Sequence, residues 1–145
     1  AGAHMLTFTE HMVLGDILQA AGNECDVQIK LHPAEDPAKY ASHRGLRIVR
    51  DMTPARIACE SDFIIGMESM LLLELAFYRD DVVSYRPGDT RSFIGDWLGA
   101  TTSILDSREL PEILSGRRRI RNSGLKDRFL GSRERILDFI TERLS

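Results

Sequence analysis

The chain has 145 residues, 43% of them hydrophobic and 28% charged, with a formal net charge of −3. That length supports one domain with a sizeable core, and the acidic balance argues against a general nucleic-acid binder. No apolar run approaches the length needed to cross a bilayer, and the two cysteines, Cys25 and Cys59, lack metal-ligand spacing, which suits reduced thiols in a cytoplasmic protein.

Ala1-Gly2-Ala3-His4 looks like an expression-vector remnant, so the expected domain runs over residues 5–145. Leu6 to Phe8 reads as a short strand. Thr9 can cap a helix to about Ala21, with Met12, Val13, Ile17 and Leu18 at helical spacing, and Gly22-Asn23 ends it. Val27 to Leu31 is the second strand, which His32-Pro33 breaks because proline cannot donate to a ladder. A short helix is expected over Asp36 to Ser42 and a third strand over Leu46 to Val49. Thr53-Pro54 fits an N-cap with proline at the first helical position, opening a helix to about Glu60. The fourth strand is Phe63 to Ile65, the next helix Glu68 to Tyr78, and the fifth strand Val82 to Tyr85.

Arg86-Pro87-Gly88-Asp89 is a turn. Ser92 to Leu98 reads as a short helix with Trp97 as an apolar anchor, and Thr101 to Leu105 as a sixth strand. Ser107 caps a helix to about Leu114. A basic loop spans Gly116 to Gly124, and an amphipathic helix spans Lys126 to Leu144. Residues 1–100 carry nine basic and fifteen acidic side chains, residues 101–145 ten and seven. The basic end suits an anionic ligand or surface, or is simply a solvated helix.

Six strands alternating with helices predict a doubly wound, mostly parallel α/β sheet with helices on both faces, in the order 3-2-1-4-5-6. In that order the loops after strands 1, 2 and 4 crowd one edge. They carry Thr9-Glu10-His11, His32-Pro33 and Glu68-Ser69, with Gly66 just before. His32 at a strand end can hydrogen-bond a phosphate or act as acid or base; it is equally a loop histidine satisfied by backbone. Ser69 in the first turn of a helix can add a hydroxyl donor to an anion site, or can simply begin the helix. Glu68 suits the helix dipole. Glu74, among Leu71, Leu72, Leu73 and Leu75, needs a partner, either a ribose diol or an arginine. Arg117-Arg118-Arg119 and Arg121 suit a diphosphate or are solvated. No GxGxxG, Walker or nucleophile-elbow motif occurs, no metal-ligand cluster is visible, and no cofactor is expected.

Ile29-Lys30-Leu31-His32-Pro33 resembles the "IKxHP" segment of bacterial sugar-polymer transferases: the CDP-glycerol glycerophosphotransferase, polysialyltransferase and capsule-polysaccharide groups. Asp62-Phe63-Ile64-Ile65-Gly66, followed by Ser69 and Glu74, is similar to their second motif. The resemblance covers about Val27 to Gly88. It departs at Met70, where the family has a second serine, and at Arg79-Asp80-Asp81, where it has "GKP". The resemblance implies a GT-B plan of two facing Rossmann-like domains, this chain being the C-terminal, donor-nucleotide-binding half of a longer protein. It implies that His32 (the catalytic candidate) meets donor phosphate, that Ser69 meets phosphate or nucleotide through the helix N-terminus, and that Glu74 holds the ribose; Pro33, Gly66 and Glu68 beside them are further candidates for binding the substrate or nucleotide. The function implied is transfer of a sugar or polyol phosphate from a nucleotide-activated donor in surface polysaccharide synthesis. The partners are then that donor and an N-terminal acceptor domain, with peripheral membrane association open to the full-length protein. A non-catalytic Rossmann-like interaction domain and a part of a nucleotide-sugar 2-epimerase-like enzyme are the alternatives.

Overall fold

The computed structural model describes residues 8–31 and 34–123. Leu6 and Thr7 of the expected first strand, the pair His32 and Pro33, and the expected helix from Lys126 to Leu144 lie outside the described residues.

Helix α1 runs over Glu10–Ala21. The Thr9 hydroxyl accepts from the Met12 amide at 3.1 Å and starts the helix. Gly22, at φ 56°, ends it with its N–H on the Leu18 carbonyl at 3.1 Å. Strand β1 is Val27–Lys30 and β2 is Leu46–Val49, joined by a 3₁₀ turn over Pro37–Tyr40 that Asp36 caps. Helix α2, Pro54–Glu60, starts on Thr53, whose hydroxyl accepts from the Arg56 amide at 3.2 Å. Then come β3 (Ile65–Gly66), α3 (Met70–Leu75), β4 (Val83–Tyr85), α4 (Ile94–Trp97) and β5 (Thr102–Ile104). A 3₁₀ turn over Ser107–Glu109, capped by Asp106 where Ser107 was expected, leads into α5 (Leu110–Leu114).

The architecture is mixed α/β with parallel sheets. β1 pairs with β2, Val27 opposite Leu46 and Lys30 opposite Val49. β3, β4 and β5 form a second parallel sheet in that order, with Ile65 opposite Val83 and Tyr85 opposite Ile104. The described residues therefore form five strands in two sheets, where six strands in one sheet were expected. The difference lies at Leu6 to Phe8, expected between them: only Phe8 is described, and it is not a strand residue. Phe8 is nonetheless buried, packing with Val13, Val83, Tyr85, Ile104, Leu110 and Ile113.

Alternation along β4 assigns the layers, because successive strand residues face opposite sides. Val83 and Tyr85 pack under α1 and α5. Val82, just before β4, packs with Ile57 of α2, Leu72 and Leu75 of α3, and Phe93. Helix α1 also presents Leu14 and Leu18 to Val27, Ile29 and Leu46 of the other sheet, so it covers both. Most of these helices span fewer than eight residues, so packing rather than intrinsic propensity holds them. Trp97 is not the anchor of α4, being 56% exposed; Phe93 and Leu98 are the buried residues there. Among the described residues no helix is long and apolar enough to cross a membrane.

Candidate functional site

Parallel strands put their C-terminal ends on one edge, where open α/β sheets receive ligands. From that edge emerge Met67, Glu68 and Ser69 after β3 and the turn Arg86 to Arg91 after β4. The segment entering α1 joins them. Phe8, Thr9, Glu10, Met67, Glu68 and Ser69 line a groove of about 280 Å³. Two of the three loops expected to converge thus meet. The third carries His32 and Pro33, outside the described residues; its preceding residue, Leu31, is buried beside Leu14 and Tyr40.

Ser69 is the N-cap of α3 rather than part of its first turn, with extended backbone at φ −77° and ψ 152°. Its side chain makes no hydrogen bond to the helix it caps, and it is exposed on the groove wall. Glu68 lies on the same wall, ion-paired to Arg91. Gly66 does not line the groove. A Cβ there would lie 2.7 Å from Cδ2 and 3.0 Å from Cγ of Leu72, so the glycine lets β3 and α3 pack closely. Glu74 is half-buried on α3, engaged within the protein, and also off the groove lining.

A network that the sequence read only as a turn supports this edge. Arg86 and Asp89 are 2% and 5% exposed and pair at 3.0 Å. Arg86 also donates to the Ser84 hydroxyl, which donates to the Met67 carbonyl at 2.5 Å. Its guanidinium lies 5.2 Å from the Phe93 ring centre. Asp89 in turn accepts from the Arg91 amide at 3.1 Å and the Arg91 Nε at 3.0 Å. Hydrogen bonds from Arg91, and then Arg86, hold its carboxyl down at about 2 against the opposing effect of burial. The available signal was Arg-x-x-Asp-x-Arg directly after a strand, at the edge where ligands bind.

On the β1 side, Tyr40 donates to Glu35 at 2.8 Å and to Glu10 at 3.4 Å, and Lys39 ion-pairs with Glu10. Burial, then the Glu35 hydrogen bond, push the Tyr40 hydroxyl up to about 12. His11 stacks on His43, ring centres 5.2 Å apart, with Nδ1 and Nε2 2.9 Å apart. No group of three or more potential metal ligands is assembled among the described residues.

A larger hollow of about 330 Å³ lies at the opposite edge, where strands begin, between Phe63, Asp80, Asp81 and Arg118, Arg119 and Arg121. The basic run is therefore remote from Ser69. Its charges are partly answered there: Arg118 pairs with Glu109 at 2.8 Å, and Arg121 lies 3.9 Å from Asp80. Arg79 has a structural task at the same edge, binding Asp81 at 2.5 Å and the carbonyls of Ala58 and Asp62 at 3.2 and 2.9 Å. Asn122 closes that edge by donating to the carbonyls of Val82 and Ala100, each at 3.0 Å. The groove at Ser69 is the better site candidate on chemistry, since it combines an available hydroxyl with two loops at the ligand edge.

Comparison of the chain with protein-family models, with curated proteins and with solved structures gives no match.

Proposed function

We propose that the chain is the donor-binding half of a cytoplasmic transferase that moves a sugar or polyol phosphate from a nucleotide-activated donor. What supports this most is the meeting of Phe8-Thr9-Glu10 with Met67-Glu68-Ser69 around one groove, with the Ser69 hydroxyl unused by its own helix. In this reading the two parallel ladders, β1-β2 and β3-β4-β5, belong to one doubly wound sheet of order 3-2-1-4-5-6. His32, which follows Leu31 in the chain, is the further donor-binding residue this reading takes.

Transfer here needs stabilisation of charge on the departing nucleotide phosphate, not covalent chemistry by the protein. Ser69 donates a hydrogen bond to a phosphate oxygen. His32 offers a ring N–H to the oxygen that bridges donor group and nucleotide. The base that deprotonates the acceptor belongs to an N-terminal acceptor domain, so this chain alone binds without turnover.

Calorimetric titration with CDP-, CMP- and UDP-linked compounds tests the reading. The expected result is weak binding of one of them, lost in His32→Ala and reduced in Ser69→Ala. Heat with none of the compounds overturns it, as does binding that survives both substitutions unchanged.

A further inference from the structure

Both carboxylates that line the groove are held by cations from outer loops. Glu68 is paired with Arg91, and Glu10 with Lys39. Each pair is only partly buried, with side chains 41% and 40% exposed in the first and 38% and 42% in the second. Such pairs contribute little to stability, so exchanging a partner costs little. The two arrangements differ in one respect. Arg91 is fixed from behind by Asp89, through its amide, its Nε and its Nη2, and Asp89 is fixed by buried Arg86. The Arg91 guanidinium is therefore held beside Glu68 of the groove wall whether or not Glu68 engages it, and its remaining N–H groups can meet a phosphate with a directionality an ammonium lacks.

We infer that Arg91 is the groove's receptor for a diphosphate, with Glu68 as a built-in competitor that the ligand displaces. Lys39 plays the same part more loosely across the groove, released from Glu10. This deepens the reading above, taking the same groove as the site and naming the part of the ligand it grips. A surface ion pair with only a structural role would make no difference to anion uptake.

Inorganic pyrophosphate is the probe, titrated calorimetrically into the chain and into Arg91→Gln and Glu68→Gln. Arg91→Gln is expected to weaken binding roughly tenfold, the loss of a charge-assisted contact. Glu68→Gln is expected to tighten it by about threefold or more, because the competitor's charge is gone. A gain of affinity cannot come from a damaged fold, so the second variant guards against misreading the first. Pyrophosphate that does not bind the unmodified chain overturns the inference. So does equal binding by either variant, or weaker binding by Glu68→Gln. A nucleotide compound whose binding needs His32 but ignores both variants also sinks it while leaving the donor reading intact. Pyrophosphate that follows the expected pattern when no nucleotide compound binds supports it and removes the donor reading.

Discussion

Arg86 and Asp89, three residues apart at the end of β4, form an ion pair almost wholly shielded from water, Nε to Oδ2 at 3.0 Å. Buried pairs of this kind are weak evidence for stability as such, because desolvation offsets the attraction. Their value is positional. Through Ser84 the pair fixes the Met67 carbonyl, and through Arg91 it reaches Glu68, so one wall of the groove is held to the turn after β4 by one set of charges.

Removing one partner leaves the other charge buried and unanswered. Asp89→Asn is expected to cost about 3 kcal/mol and to lower Tm by roughly 10 °C. The pH dependence has a definite sign. The Asp89 carboxyl sits at about 2 when folded against 3.8 ordinarily. Its contribution is therefore complete above pH about 4 and is lost as pH falls toward 2. Urea midpoints measured from pH 5 downward should fall steeply for the unmodified chain and more gently for Asp89→Asn. Parallel slopes would rule out this role for Asp89.

Asn122 ties the start of β4 to the segment entering β5, donating to Val82 and Ala100 while the Thr102 hydroxyl donates to its Oδ1. Asn122→Ala should cost about 2 kcal/mol, since buried carbonyls lose their donors. Asn122→Asp should cost more, because a carboxylate facing two carbonyls can only accept. Chemical denaturation of the pair of variants decides the order; an aspartate better tolerated than alanine would refute the donor assignment.

Gly66 was a candidate for binding the substrate or nucleotide, yet its immediate neighbour is Leu72. Gly66→Ala should destabilise by about 1–3 kcal/mol through overpacking. Trimming the obstacle in Gly66→Ala/Leu72→Ala should recover part of the first loss relative to Leu72→Ala alone. A double-mutant cycle with no coupling between the two positions would show that the glycine serves something other than close packing.

Local signals in the sequence carried well. Thr9 and Thr53 cap the helices expected of them, and β2 has the predicted bounds, because caps and short apolar runs are decided by neighbours in the chain. The parallel pairings on either side of the expected first strand also agree. What escaped depends on partners far along the chain. Nothing near Trp97 reveals that Phe93 and Leu98 take the buried places. Nor does the turn at Arg86 announce that its charges fold inward to Ser84 and Asp89 rather than outward. The helix after β3 is shorter than its leucine run suggests. Bonds from Phe77 and Tyr78 back to Glu74 and Leu75 tighten its end and stop it.

Val13 and Leu14 are consecutive in α1, yet the first is buried over the β3-β4-β5 sheet and the second over β1-β2. A single rod is thus shared by the two ladders. Neither ladder can melt without stripping one flank of that rod, which loosens its hold on the other. The two halves should therefore come apart in a single cooperative step, and the groove at the rod's first turn should vanish in that same step.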